Sequence, residues 1–288
     1  MEIFMTYVLP VLIFTVIGAV SGVLLVIGSK VFHVESDETV AQILEALPNA
    51  NCGACGFSGC EGYAKAVAAG EAPTNRCKPG GAAASEKISA ILGTQVLETV
   101  RETAFVRCNG CKGATEERYI FTGTPSCAAV ERFYNGKGVC RTGCDGYGDC
   151  AKVCDNDAIS IIDGVAVVNP AKCGACGKCA AVCPNGLIMI RPMNKHVDVR
   201  CSSRDVGKVA KDLCKNSCIG CKICEKKCPA GAITVSDNHA SIDYAKCTSC
   251  GLCAQSCPRK CITVMPECQQ QNGGLLQAPD RRKARART

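Results

Sequence analysis

One run of cysteines, repeated at a fixed spacing, constrains the fold of this 288-residue chain more than any other feature. Three copies of the run are exact: Cys173-x2-Cys176-x2-Cys179-x3-Cys183-Pro184, Cys218-x2-Cys221-x2-Cys224-x3-Cys228-Pro229 and Cys247-x2-Cys250-x2-Cys253-x3-Cys257-Pro258. This spacing is typical of bacterial double-cluster ferredoxins, in which cysteine thiolates hold 4Fe-4S clusters. We therefore expect iron rather than structural zinc at these cysteines.

A looser copy precedes the exact ones and reads Cys140-x3-Cys144-x5-Cys150-x3-Cys154, with Asp155 where the others have proline. Short apolar segments follow all four copies, and similar segments precede the second and fourth; they lie at 158–161, 165–168, 187–190, 232–235, 240–243 and 261–264. A repeat that extends into the flanking residues indicates one structural unit used several times. The pattern predicts a strand, a cluster loop and a second strand.

The separation between copies predicts how they pair. Nineteen positions separate the end of the first copy from the start of the second, and the same holds for the third and fourth, whereas thirty-five separate the second from the third. We therefore predict two double-cluster units, 140–192 and 218–266, joined by a linker at 193–217. In such units the fourth cysteine of each run binds the other cluster. The predicted ligand sets are Cys140, Cys144, Cys150 with Cys183; Cys154 with Cys173, Cys176, Cys179; Cys218, Cys221, Cys224 with Cys257; and Cys228 with Cys247, Cys250, Cys253.

A different cysteine-rich segment lies nearer the N-terminus, in a predicted module of residues 31–90. It reads Asn51-Cys52-Gly-Ala-Cys55-Gly-Phe-Ser-Gly-Cys60, and its fourth cysteine is Cys77. The glycines allow backbone N–H groups to approach the sulfur atoms, which suits an iron–sulfur cluster. Spacing alone leaves a structural zinc site open as an alternative.

Seven cysteines lie outside these five sets: Cys108, Cys111, Cys127, Cys201, Cys214, Cys261 and Cys268. A free buried cysteine commonly packs as a small apolar side chain, which is the expected role of most of them. Cys108, Cys111 and Cys127 lie in a predicted connecting region, 91–139. These three could bind a further cluster or metal if another segment supplied a fourth ligand.

The N-terminal region is predicted to anchor the chain in a membrane. Residues 3–29 contain no charged side chain, and residues 8–27 are almost all apolar. About 20 such residues in a helix cross a hydrocarbon core of about 30 Å. A cleaved signal peptide is the alternative, but the segment lacks a basic start and a small-residue cleavage pattern. We therefore predict one transmembrane helix within residues 1–30, with the cysteine-rich domains in the reducing cytoplasm.

Composition excludes several other classes of protein. The chain has 27 cysteines, an odd number, and is too long for a small disulfide-stapled secreted domain. Its formal charge of +7 counts cysteine as neutral; about five clusters of roughly −2 each would make the loaded protein acidic, so no nucleic-acid partner is expected. No nucleotide-binding or nucleophile motif occurs, and no catalytic residue is predicted. Residues 267–288 are predicted to be a basic, disordered tail.

The order of these parts resembles the B subunit of Rnf-type ion-translocating ferredoxin:NAD oxidoreductase complexes, in its longer, multi-ferredoxin form. The likeness is closest at residues 51–60 and in Arg76-Cys77-Lys-Pro-Gly-Gly81. It implies a single-pass component of the prokaryotic cytoplasmic membrane that takes electrons from reduced soluble ferredoxin and passes them through its clusters to other subunits. Ion translocation and NAD reduction would occur elsewhere in that complex.

The sequence thus predicts an α+β chain with one N-terminal transmembrane helix, a small helical 4Fe-4S module and tandem bacterial-ferredoxin-like double-cluster domains. The predicted partners are other Rnf subunits, reduced ferredoxin and membrane lipid. The iron–sulfur component of a membrane hydrogenase or formate dehydrogenase is the redox alternative, and a zinc-based interaction module is the non-redox alternative. About 20 iron atoms per chain are expected, four in each of about five clusters.

Overall fold

The computed structural model describes the backbone of residues 9–31 and 38–264, and the side chains of residues 14–27 and 38–264. The chain divides into two compact parts, an N-terminal part (residues 1–42) and a main body (residues 43–288). Within the described main body, short helices alternate with two-stranded sheets. The tail predicted at 267–288, with Cys268, lies outside the described residues.

Helix α1 (Leu9–Val31) accounts for most of the described N-terminal part. Its sequence is largely apolar, and its described side chains, from Phe14 to Ile27, are all exposed. Among the described residues, no helix is both long and apolar enough to cross a membrane. The span predicted at 8–27 begins outside the residues whose side chains are described.

The first module contains α3 (Cys60–Ala68) and α4 (Gly81–Leu92), and α2 (Glu38–Ala46) precedes them in the chain. Helix α3 begins at the third predicted ligand and buries Tyr63. The Tyr63 hydroxyl donates to Pro73 O (2.8 Å) and accepts from Arg76 N (3.2 Å). Because Tyr63 holds the segment that leads to Cys77, it fixes the fourth cysteine relative to α3.

The first ferredoxin domain comprises residues 102–192. Its strands are β1 (Glu102–Val106), β2 (Ile159–Ile162), β3 (Val165–Val168) and β4 (Ile188–Pro192), and its helices are α5 (Cys127–Tyr134), α6 (Asp149–Lys152) and α7 (Lys178–Ala181). Strand β1 pairs antiparallel with β4, with Ala104 opposite Ile190, and β2 forms an antiparallel hairpin with β3. The apolar residues of both sheets share one core, and several of the predicted ligand cysteines pack against it.

The second ferredoxin domain, residues 198–263, repeats this arrangement. It contains β5 (Asp198–Val199), α8 (Gly207–Leu213), α9 (Ile223–Lys227), β6 (Ile233–Ser236), β7 (His239–Ile242), α10 (Leu252–Gln255) and β8 (Ile262–Thr263). Strand β5 pairs with β8, and β6 pairs with β7.

Six of the eight strands lie where the sequence predicts them, and two do not. Strands β1 and β5 occur in the segments predicted to be a connecting region and a linker. A two-stranded hairpin alone is marginally stable in water. Each domain therefore recruits an additional strand from the segment that precedes it, and this strand completes the core by pairing with the last strand of the domain.

The two ferredoxin domains contact each other through polar side chains that are partly or fully buried. Ser202 Oγ donates to Arg107 O (2.9 Å), and the Arg191 guanidinium forms an ion pair with Asp198. Within the second domain, the Tyr244 hydroxyl donates to the same carboxylate (2.8 Å) and orients it. These directional contacts hold the cysteine groups of one domain at a fixed position relative to those of the other.

Candidate iron–sulfur sites

The four cysteines of the first module form one group. Cys52 and Cys55 lie on the glycine-rich loop, Cys60 begins α3, and Cys77 precedes α4. Burial raises the pKa of the Cys77 thiol, and the nearby Cys60, Cys52 and Cys55 thiolates raise it further. The Asn51 side chain accepts a hydrogen bond from Cys60 N (2.9 Å), which holds the loop against the start of the helix.

Gly80 supplies a backbone donor in a place where no side chain fits. Its N–H donates to the Cys77 sulfur. A Cβ atom at Gly80 would lie 2.5 Å from Ala84 Cβ, closer than real Cβ atoms approach, and a tight 3.0 Å from Cys77 Sγ. The Pro-Gly-Gly sequence after the fourth cysteine therefore permits the close approach of backbone to sulfur that a cluster ligand needs.

A second group combines the last cysteine of the loose copy with the first three of the next copy. One cavity is lined by Cys154, Cys173, Cys176 and Cys179. Ala158 N donates to Cys154 Sγ (3.3 Å), and Ala104 N donates to Cys173 Sγ (3.4 Å). Since Ala104 lies on β1, the strand that the sequence did not predict contributes directly to this site.

The first module adjoins this second group. The same cavity is also lined by three residues of the module, Pro48, Ala50 and Pro79. Lys178 on α7 forms an ion pair with Asp155 (2.6 Å), the residue that replaces proline in the loose copy. The hydrogen bond from Lys178 to Asp155 raises the pKa of Lys178, with smaller contributions from the Cys176 and Cys52 thiolates. One lysine is therefore within electrostatic reach of cysteines from both groups.

A third group differs from the predicted set. One cavity is lined by Cys127, Cys144, Cys150 and Cys183. Cys127 thus occupies the place in which the sequence predicted Cys140. Cys140 instead lines a second cavity, together with Cys108 and Cys214.

The spacing of the loose copy explains this regrouping. When the loose copy and the third copy are aligned on their last two cysteines, Tyr147 stands where the third copy has Cys221. The backbone N–H groups of Asp149 and Tyr147 donate to the Cys127 sulfur and place it beside the missing ligand position. Aligning the copies on their last two cysteines reveals from sequence alone that the loose copy lacks a ligand at position 147. It does not reveal that Cys127 takes that place.

A fourth group lies in the second ferredoxin domain. One cavity is lined by Cys218, Cys221, Cys224, Cys257 and Cys261. Cys261 Sγ lies 3.6 Å from Cys257 Sγ. Its thiol hydrogen-bonds to Cys218 and Cys257, which lowers the pKa of Cys218 to about 6 and that of Cys257 to about 5. Cys218 and Cys257 would lose their protons on binding a cluster, and Cys261 would then be the S–H donor beside the four predicted ligands.

The last predicted set is Cys228, Cys247, Cys250 and Cys253, and the structure places Cys228 and Cys247 near Cys253. Burial raises the pKa of Cys253 to about 11, and the Cys247 and Cys228 thiolates act in the same direction. Ser249 N donates to Cys247 Sγ (3.3 Å). Cys250 is exposed, so this group is open to solvent on one side.

The five groups fit the requirements of 4Fe-4S clusters. Burial raises the pKa of Cys144 and Cys150 to about 12 and that of Cys179 and Cys224 to about 11, because an isolated thiolate is poorly solvated there. Bound iron takes the place of the proton, and N–H groups stabilise the ligated sulfur. Among the described residues, no three His, Cys, Asp or Glu side chains are placed to hold a single metal ion. A cubane cluster binds each thiolate through a different iron atom.

The remaining cysteines separate into two kinds. Cys111 packs at the edge of the core of the first domain. Cys108 lines the cavity that contains Cys140, and so do Cys201 and Cys214, to which the sequence assigns only a packing role.

Three family models match the cysteine-rich segments. An Fe-S cluster model matches residues 47–79, a 4Fe-4S binding domain model matches residues 166–189, and a 4Fe-4S dicluster domain model matches residues 217–262. Together with the grouped thiols, these matches show that the chain carries several 4Fe-4S clusters.

Curated relatives match most of the chain. The B subunit of an ion-translocating oxidoreductase complex from Methanosarcina acetivorans is 42% identical over 231 residues, which are 80% of this chain and 88% of that protein. The B subunit of the Na⁺-translocating ferredoxin:NAD⁺ oxidoreductase complex of Acetobacterium woodii is 39% identical over 82% of this chain and 72% of that protein. The corresponding protein of a proton-translocating complex from Clostridium ljungdahlii is 33% identical over 83% of this chain and 84% of that protein. The chain therefore belongs to the family of B subunits of Rnf-type ion-translocating ferredoxin:NAD oxidoreductase complexes.

Proposed function

We propose that this chain is the electron relay of an ion-translocating ferredoxin:NAD oxidoreductase complex, and that it carries electrons from reduced ferredoxin to membrane partners. The observation that carries the proposal is the series of four-thiol groups in the main body. Residues of the first module and of the Cys154 group line the same cavity. Clusters bound at these groups would accept and release single electrons. The residues of the chain hold the sites, exclude water and donate N–H groups to sulfur.

The proposed ligands follow the structural groups. They are Cys52, Cys55, Cys60 and Cys77; Cys127, Cys144, Cys150 and Cys183; Cys154, Cys173, Cys176 and Cys179; Cys218, Cys221, Cys224 and Cys257; and Cys228, Cys247, Cys250 and Cys253. Cys127 replaces Cys140 in the second set because it lines the same cavity as the other three thiols.

We infer that electrons enter at the second ferredoxin domain and leave through the first module. Cys250 of the second domain is exposed. Exposed Lys222, Lys226 and Lys227 give α9 a positive charge beside this region, which suits docking of an acidic electron donor. The first module follows α1 after only a short segment of chain, so it is the cysteine group nearest in sequence to the proposed membrane anchor.

Helix α1 is the proposed anchor in the prokaryotic cytoplasmic membrane, with the ferredoxin domains on the cytoplasmic side. Its exposed apolar residues, including Phe14 and Leu25, suit contact with lipid or with a helix of another membrane protein. Gly18 and Gly22 give the GxxxG spacing that lets two membrane helices approach closely. Deletion of residues 1–31 should release the chain from isolated membranes, and persistent membrane association through lipid alone would contradict the assignment.

Replacement of Cys52 tests the proposed function and route. In the membrane complex, Cys52→Ser should leave reduction of the other clusters by ferredoxin intact but stop electron delivery to NAD. The matched control is Cys111→Ser, which changes a cysteine outside the five proposed sets and should keep both steps. Undiminished NAD reduction in Cys52→Ser would show that electrons bypass the first module. A colourless protein that contains zinc and no iron would overturn the proposed function itself.

A further inference from the structure

We propose a sixth cluster site between the two ferredoxin domains, held by Cys108, Cys140, Cys201 and Cys214. These four cysteines line one cavity, and all four lie outside the five proposed ligand sets. The inference deepens the proposed electron-relay function and rests on it, since it identifies a 4Fe-4S cluster as the bound group.

The four cysteines form two equivalent pairs. Cys108 lies two residues after the end of β1 in a Val-Arg-Cys sequence, and Cys201 lies two residues after the end of β5 in the same sequence. Cys140 and Cys214 each lie four positions before the first cysteine of the cluster loop in their domain. Each domain therefore contributes one cysteine from the end of its first strand and one from the approach to its cluster loop.

Backbone N–H groups donate to the sulfur atoms of Cys108 and Cys201 in the same pattern. Cys108 Sγ accepts hydrogen bonds from Cys144 N and from the N–H two residues after itself, both at 3.4 Å. Cys201 accepts the equivalent pair, from Cys218 N and from the N–H two residues after itself. Two N–H donors stabilise a ligated thiolate. A cysteine that serves only as a small apolar side chain has no need of them.

The sulfur atoms from the two domains lie close to each other. A Cβ atom on Gly110 would lie 3.4 Å from Cys108 Sγ and 3.9 Å from Cys214 Sγ. The Gly110 backbone does not adopt a left-handed conformation, so glycine is not needed there for its φ angle. Because glycine has no side chain at this position, it leaves space between Cys108 Sγ of the first domain and Cys214 Sγ of the second.

A buried cation lies at the same cavity. Arg200 lines it and is only 4% exposed, and its guanidinium donates to Cys108 O (2.9 Å). A 4Fe-4S core bound by four thiolates carries roughly −2 overall. Arg200 thus places positive charge beside the position at which that negative charge would lie, and the same residue joins the two domains.

The position of the site gives it a role in the relay. Cys144, a proposed ligand in the first domain, also lines this cavity. Cys218, a proposed ligand in the second domain, donates its N–H to the Cys201 sulfur. A cluster at the new site would therefore adjoin one cluster in each ferredoxin domain and connect the two domains electronically.

Cys111 is the rival ligand because it forms a CxxC pair with Cys108. It packs at the edge of the first-domain core, whereas Cys201 lines the cavity. This difference makes Cys111→Ser a matched control for Cys201→Ser.

Iron and sulfide counting on the anaerobically purified full-length chain tests the proposal, with native mass spectrometry as a second measure on the unaltered protein. Six clusters give about 24 iron atoms per chain, and five give about 20. Cys201→Ser and Cys214→Ser should each lower the count by about four and reduce the integrated EPR signal of the fully reduced protein. Cys111→Ser should keep the full count.

The double variant Cys140→Ser/Cys201→Ser changes one cysteine in each domain. It should lose about four iron atoms, as each single variant does, because both thiols bind one cluster. A loss of about eight would place these cysteines in separate clusters and overturn the proposal. A wild-type mass that corresponds to five clusters would also overturn it, whether or not the variants fold. The proposal would also be overturned if Cys111→Ser lost iron and Cys201→Ser did not. In all three cases a brown, reducible protein would still support the relay function.

Discussion

Arg191 on β4 and Asp198 on β5 join the two ferredoxin domains through a double contact. Arg191 Nη2 donates to Asp198 Oδ2 (2.9 Å), and Nε lies 2.5 Å from Oδ1. Both side chains are only 10% exposed, and the guanidinium also lies over the Phe105 ring. A two-point ion pair fixes orientation as well as distance. The pair therefore holds the two domains in one relative orientation.

Removal of one partner of this ion pair should destabilise the chain. Asp198→Ala leaves a buried guanidinium without its carboxylate, at an expected cost of about 3–5 kcal/mol. The matched control is Arg204→Ala, because the Arg204–Asp237 pair is 3.5 Å long with side chains 71% and 73% exposed; its loss should cost at most about 1 kcal/mol. Urea unfolding of the cluster-loaded protein under anaerobic conditions measures both. Equal shifts in the two variants would contradict the importance of the buried pair.

The assignment of Cys127 and Cys140 to different groups leads to a test by double substitution. Cys127→Ser/Cys150→Ser should lose about four iron atoms, the same number as Cys150→Ser alone, because both thiols belong to one group. Cys140→Ser/Cys150→Ser should lose about eight, since the two thiols line different cavities. Iron analysis of the purified chains distinguishes these results. A loss of only about four iron atoms from Cys140→Ser/Cys150→Ser would instead support the ligand set that the spacing of the loose copy suggests.

The cysteine spacing predicts the parts of the fold that are local in sequence. The hairpin β2–β3 and strand β4 flank their cluster loops within a few residues, so a repeated pattern is sufficient to locate them. Strand β5 has only two residues and pairs with β8, more than sixty positions away. A two-residue segment is too short to show the alternation of apolar and polar residues that identifies a strand, and its pairing depends on tertiary packing.

The position of Cys127 shows a similar limit for the site. No local spacing links Cys127 to the cluster loop, because the contact depends on how α5 meets α6. Asp149, the first residue of α6, accepts hydrogen bonds from Ser126 Oγ (2.8 Å) and Ala128 N (3.1 Å) on either side of Cys127. One carboxylate therefore brings the distant thiol to the vacant ligand position beside Tyr147, and its partners are evident only in three dimensions.

Cys261 should tune a cluster without binding it. Its thiol donates toward Cys257 and Cys218, so Cys261→Ala should lower the reduction potential of that cluster by roughly 40 mV, which corresponds to about 1 kcal/mol for one electron. Iron content should not change. Cys261→Ser keeps a donor and should restore part of the shift, as measured by EPR-monitored redox titration. Loss of four iron atoms from the alanine variant would instead identify Cys261 as a ligand.

Lys178 should tune electron transfer between the first ferredoxin domain and the first module, because its ammonium group interacts with both Cys176 and Cys52. Lys178→Met removes a positive charge that favours the more negative, reduced state of the nearby clusters. Their reduction potentials should therefore become more negative, and the shift should shrink as salt is added because the side chain is partly exposed. Lys65→Met is the matched control, since Lys65 pairs with Glu61 on the exposed face of α3. Redox titrations at low and high ionic strength measure both variants, and an equal shift in the two would mean that Lys178 acts only through the overall charge of the protein.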